Sequence, residues 1–373
     1  MASDPLRTRL CEEYGCEVPI VAFAHTRDVI VAVTNAGGIG ILGGTGMTPD
    51  KLRSEIAWIR ERVGDRPFGV DLLVPASFVE GNREDLDAMI PQEHRDFVEK
   101  LHDENDIPHP KPLPQQQGAG SIASPNLLQG AREALTALFE EKVPIFASGL
   151  GSPAFVLEEA HEAGTKVWGL VGLPRQARRQ VEAGVDVIVA QGYDSGGHSG
   201  TVGTFTLVPE VVEMAEGTDT LVLAAGGVSG GKHLAGALAM GAHGVWTGTI
   251  WLATHESDTQ MFIKQRLIEA QAEDAVQSRA TSGKPIRQLR SKWSDAWKQE
   301  GAPEPLQMPL QGMLVGGVQR GIREARMEDW MTTPAGQSVV GVHEIKPAAQ
   351  VVFDMVEEAQ DHFEQLMGEP AGA

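Results

Sequence analysis

Two short segments carry residues able to do chemistry. The first, AQGYDSGGHSGT at 190–201, sets one histidine, His198, directly after Gly196 and Gly197. An imidazole exchanges a proton near neutral pH, and the glycines let the chain turn back so that the ring projects over what lies beneath. Asp194 is placed either to orient that ring or to be an ordinary solvated carboxylate. The second segment, AAGGVSGGKHLAGALAMGAHGVWTGT at 224–249, puts Gly226 and Gly227 in one unit and Gly248 and Thr249 in the next. Glycines let backbone N–H groups approach an anion closely, and a helix starting near Gly230 would add its partial positive charge, so the pair of sites reads as a phosphate cradle. One glycine pair alone would read as a tight turn; two in successive units favour the cradle. Neither segment contains GxxxxGK[ST], and no GxGxxG follows the first strand, which excludes the ATP P-loop and the Rossmann dinucleotide site.

The elements that must position these segments alternate along the chain. Apolar, β-rich runs occur at 19–25, 38–43, 67–74, 143–148, 166–171, 185–190, 220–225 and 244–250. Several lack polar alternation, as expected for parallel strands covered on both faces. Amphipathic helical patterns lie between them at 49–63, 153–163, 174–183 and 232–240, the last three each followed by a glycine (Gly164, Gly184, Gly241) suited to a helix end. Eight such units predict an α/β fold, a (β/α)8 TIM barrel, with the open doubly wound sheet as the structural alternative. The barrel is expected over 18–275. An insertion at 75–130, too long for a normal connection and containing DIPHPKPLPQQQGAGS, reads as a lid over one mouth. Residues 276–373 read as a C-terminal extension, partly helical, packed on the barrel.

Composition narrows the partners. Lys and Arg total 31 against 51 Asp and Glu, and the net charge of −20 repels nucleic acid and anionic membranes. No apolar stretch reaches the roughly 20 residues of a membrane span. A soluble, cytoplasmic protein is the expectation. Cys11 and Cys16, the only cysteines, form neither a disulfide framework nor by themselves a zinc site, so no metal is predicted.

Taken in order, PIVAF, NAGGIGILGG, FGVDLLV, VDVIVAQG followed by GGH, and AAGGV with ALAMGAHGVWTGT resemble the nitronate monooxygenases, formerly 2-nitropropane dioxygenases. The resemblance covers most of 18–254, with fainter echoes at SGKPIRQLRSKW and PAGQSVVG. It implies an FMN-dependent TIM barrel in which Ala225, Gly226, Gly227, Gly248 and Thr249 lie on the phosphate side. Phe23 and Ala24 would meet the flavin ring, with Lys166 and Gln191 as polar contacts and Gly196 and Gly197 beside the cofactor. His198 would be the catalytic residue, deprotonating a nitroalkane or positioning its nitronate. Lys166 has a plainer reading as the partner of a surface acid.

Three departures stand out: Phe23-Ala24-His25 replaces the family's Ala-Pro-Met, with His25 a second acid–base candidate or a barrel-mouth filler; Asp71 stands at a cofactor-side position where Asn is common, for hydrogen bonding or partner capture; and Asp194-Ser195 replaces Glu-Ala. The implied activity oxidises an alkyl nitronate with O2 to a carbonyl compound and nitrite. The partners are then a small-molecule substrate and O2, with homo-oligomerisation left open. The chain also resembles the NAD(P)H-dependent flavin enoyl-acyl-carrier-protein reductases through SGGH. A non-catalytic flavin-binding barrel and a phosphosugar isomerase are readings of other classes.

Overall fold

The computed structural model describes residues 4–73, 83–110 and 127–368. Its centre is a closed barrel of β1 (Ile20–Ala24), β2 (Ile39–Gly43), β3 (Phe68–Asp71), β4 (Ile145–Ser148), β5 (Lys166–Val171), β6 (Val187–Gln191), β8 (Leu221–Ala225) and β9 (Gly244–Thr247), all parallel. These are the eight runs read from sequence, and the fold is the predicted TIM barrel. The last run ends early because Gly248 breaks it and a 3-10 turn, Thr249–Ala253, follows. The two-residue β7 (Gly197–His198) leaves the barrel and pairs antiparallel with β11 (Ile286–Leu289), which pairs with β10 (Ala275–Ser278).

Alternate residues of the barrel strands face inward, and those of every strand but β3 join one apolar cluster, including Val21, Ile41, Ala147, Val189, Leu223 and Ala225. Trp168 and Trp246 fill its middle, 6.3 Å apart, and Tyr14 from the N-terminal helix accepts the Trp168 indole N–H at 3.0 Å. Outside the barrel, the helix Pro49–Val63 begins where the sequence says it must. Thr48 accepts the Lys51 N–H at 3.3 Å, Pro49 takes the first turn, and Leu52, Ile56 and Ile59 are fully buried. The pattern at 153–163 splits into a 3-10 turn, Pro153–Val156, and a short helix, Leu157–Glu162.

The described residues 83–110 contain two helices, Arg83–Ala88 and Gln92–Glu104, both clamped to the C-terminal part of the chain, and 127–130 open the helix Leu127–Glu140. Leu86 and Ile90 share a buried cluster with Leu310, and a side chain at Gly321 would run into the Pro108 carbonyl. Residues 111–126, most of the proline-rich stretch on which the lid expectation rests, lie outside the described residues. At the other side, the long helix Ala348–Met367 packs on Gly231–Ala239. Among the described residues no helix is long and apolar enough to cross a membrane.

Candidate active site at the strand C-termini

Because every barrel strand is parallel, the last residues of the strands share one end. Phe23 and Ala24 close β1, Asp71 closes β3, Gln191 closes β6 and Ala225 closes β8. Register confirms the level: Gly43 pairs with Asp71, Asp71 with Ala147, and Gln191 with Ala225. Phe23 lies nearly parallel to Trp246, ring centroids 5.8 Å apart, and meets His25 edge-on at 5.2 Å. His25 Nδ1 lies 3.2 Å from the Gly43 carbonyl oxygen, so that nitrogen carries the proton and donates it.

Gly226 and Gly227 turn the chain away from β8 with φ of +94° and +75°, the left-handed region that favours glycine. A side chain at Gly226 would press on the Ser195 N–H at 2.9 Å, whereas at Gly227 the nearest atom is Asp194 Cβ at 3.7 Å. Gly248 is open as well, its nearest neighbour Phe23 Cδ1 at 3.9 Å. Two glycines therefore border space that no atom of the described residues fills. The helix start expected to strengthen this cradle does not serve it. The Gly231 N–H donates to Glu358 Oε2 at 2.5 Å, and Lys232 also faces that carboxylate, at 3.7 Å, so a carboxylate from the last helix already occupies the N-terminus of Gly231–Ala239. The Thr249 hydroxyl is engaged too, accepting the Gly336 N–H at 2.9 Å.

His198 is held from outside the barrel. β7 pairs with Ile286 and Arg287, and His198 Nε2 lies 2.9 Å from Ser282 Oγ. Ser282 Oγ also accepts the Lys284 N–H at 3.3 Å and lies 3.4 Å from the Lys284 carbonyl. Beneath the loop, Arg287 Nε donates to the Tyr193 carbonyl at 3.0 Å and its guanidinium lies 4.3 Å from the Tyr193 ring centroid. A side chain at Gly196 would collide with the backbone of Ala335 and Gly336, which pass within reach. Gln191 Nε2 contacts the Gly196 carbonyl at 3.5 Å. Asp194 does not orient the imidazole: its carboxylate accepts the Thr204 N–H at 3.0 Å and so starts the helix Thr204–Ala215.

The expectation of proton exchange near neutral pH is also corrected. Burial, and after it the Lys284 ammonium, bring His198 down to about 4, so the ring is neutral at pH 7. Asp71 moves the other way, raised to about 7 by burial alone.

Lys166 is not part of this site. It opens β5, pairs in register with Ile145 at the start of β4, and makes a 2.8 Å ion pair with Asp186 at the opposite end of the barrel. Its plainer reading fits this geometry. Sequence reasoning passed over Ser282, Arg287 and Gly336; their signal was the pair of faint echoes, SGKP and PAGQ, far along the chain from His198.

Similarity to known proteins agrees with this fold. The profile of the nitronate monooxygenase family matches residues 16–358. A Mycobacterium tuberculosis protein that carries a provisional monooxygenase name is 42% identical over 97% of this chain and 99% of its own length. A Staphylococcus haemolyticus protein named as a nitronate monooxygenase is 26% identical over 88% of this chain and 91% of its own. Among solved structures, FabK from Thermotoga maritima superposes with a TM-score of 0.74 at 31% identity, covering 97% of this chain and 99% of that one. A nitroalkane oxidase from Streptomyces ansochromogenes gives 0.77 at 25%, covering 94% and 98%.

Proposed function

The chain belongs to the nitronate monooxygenase family and is an oxidoreductase, and from that premise we propose that it binds FMN at the barrel mouth and oxidises an alkyl nitronate with O2 to a carbonyl compound and nitrite. One observation carries the reading: a half-buried, neutral imidazole, His198, is fixed by Ser282 on the same end of the barrel as the open glycines Gly227 and Gly248. The residues present fit the cofactor. Backbone at Gly227, Gly248 and Thr249 would hold the phosphate, beside Ala225 and Gly226. Phe23 and Ala24 would line the ring, with Asp71 and Gln191 at its polar edge. Bound flavin supplies a two-electron acceptor that reacts with O2.

The chain's own contribution is proton handling and placement. In this reading Ser282 Oγ, which accepts the Lys284 N–H, gives its single proton to the Lys284 carbonyl and receives Nε2–H from His198. Nδ1 is then the atom that takes the α-proton of a neutral nitroalkane. Gly196 and Gly197 set the height of the ring above the mouth.

The absorption spectrum of the purified protein, followed by anaerobic titration, tests this. A yellow protein bleached by alkyl nitronate, recoloured by O2 and yielding nitrite is the expected result. Bleaching by NAD(P)H with no response to nitronate would replace the reading with a reductase. A colourless protein that takes up no added FMN would end the flavin assignment.

A further inference from the structure

Asp71 is buried without being satisfied. Its side chain lies on the inward face of β3, in register with Gly43 on one side and Ala147 on the other, and neither neighbour carries a polar group or enough bulk to cover it. The residue is nonetheless 5% exposed, and its Oδ2 has no hydrogen-bond partner among the described residues. An ionised carboxylate in such a place costs several kcal/mol, whereas a neutral acid costs far less and carries an O–H donor. Burial accordingly raises Asp71 to about 7.

We propose, on the reading that a flavin occupies the barrel mouth, that Asp71 meets it as a neutral acid donating a hydrogen bond, and that losing this proton to solvent loosens the flavin and disfavours its anionic reduced form. The family's common asparagine offers a donor at every pH; the aspartate offers one only while protonated. The strands that flank β3, IGILG and IFAS, hold no titratable residue. His25 rests on Gly43 and is the titratable group on that side. His198 belongs to β7, in the segment after β6 and three strands away in barrel order, Lys284 belongs to the turn between β10 and β11 that braces it, and Glu80 lies outside the described residues.

The test measures FMN dissociation constants by fluorescence from pH 5.5 to 9 for the wild type, Asp71→Asn and His25→Asn. Wild-type affinity should fall, approaching ~10-fold per pH unit once Asp71 is ionised, while Asp71→Asn stays flat and His25→Asn keeps the wild-type slope. A second variant, Asp71→Ala, should also be flat but weaker throughout, because the donor is gone. Unfolding of the flavin-free protein gives an independent reading. The folded state holds the Asp71 proton more tightly than the unfolded chain, so this group's contribution to stability declines as pH rises from about 3.8 to about 7 and levels off above. Asp71→Asn should remove that decline. Equal pH slopes in wild type and Asp71→Asn, or a flat profile in His25→Asn, would overturn the proposal. A wild type that binds no FMN at any pH would overturn the flavin reading itself and this inference with it, a result distinct from unaltered slopes.

Discussion

The two ends of the barrel treat polar groups in opposite ways. At the strand N-termini, Asp186 is fully used: Lys166 Nζ, the Val167 N–H and His161 Nε2 each lie 2.8 Å from its oxygens. Burial alone would raise that carboxyl, but these three partners outweigh it and hold Asp186 below the ordinary carboxylate range. At the strand C-termini, Asp71 is more deeply buried, has one oxygen without a partner among the described residues, and is raised. His198 there is lowered by burial and the neighbouring ammonium. One end completes its own electrostatics and so contributes to stability. The other leaves charges suppressed and space open beside glycines, as a site does when a ligand is meant to finish it.

Three substitutions probe this contrast. The largest effect is expected from His198→Asn, which keeps size and polarity but removes the proton acceptor. Turnover of a neutral nitroalkane should fall by ~10² to 10⁴, while a preformed nitronate, already deprotonated, should be much less affected. Since the active ring is the neutral one, the wild-type rate should not fail through His198 protonation at pH 6.5 but only as pH drops toward 4. Unchanged turnover of the neutral substrate, with flavin bound, would show that the base lies elsewhere, and His25 would be next.

A smaller change is expected from Gly248→Ala. The new methyl has room in the protein and no left-handed backbone to strain, so the chain should fold with little loss of stability. It would crowd only a bound phosphate, and overpacking of that kind costs about 1–3 kcal/mol, roughly 5- to 150-fold in FMN affinity. Gly227 is the poorer probe, because its φ of +75° strains any side chain whatever the space. Stoichiometric FMN at wild-type affinity in Gly248→Ala would move the phosphate away from this strand end.

The smallest effect belongs to the other end. Lys166→Met removes one partner of Asp186 from a side chain that is more than half exposed, and such pairs contribute about 0–1 kcal/mol. Thermal unfolding should shift by a few degrees at most and flavin content should not change. Loss of flavin would erase the distinction between the two ends.

The barrel is legible in the sequence because parallel strands buried on both faces leave continuous apolar runs, and the order of those runs is the order of the strands. Strand direction also settles Lys166. A residue that opens the run KVWGLV lies at the end where strands begin, and the polarity of the run was better evidence than family resemblance. The cradle was half legible: positive φ at Gly226 and Gly227 follows from a turn that only glycine makes easily, whereas Glu358 capping the next helix depends on a contact spanning 127 residues. Ser282 beneath His198 was hidden for the same reason, because a hydrogen bond across 84 residues has no periodicity to betray it.

The pairing of β7 with β11 has a consequence for the order in which the molecule is made. A chain that has emerged from the ribosome as far as residue 275 already contains all eight barrel strands, yet Ile286, Arg287 and Ser282, which hold the histidine loop, have not been synthesised. Shape therefore precedes reactivity: the nascent barrel can close while His198 still lacks its brace, and the reactive centre is assembled last.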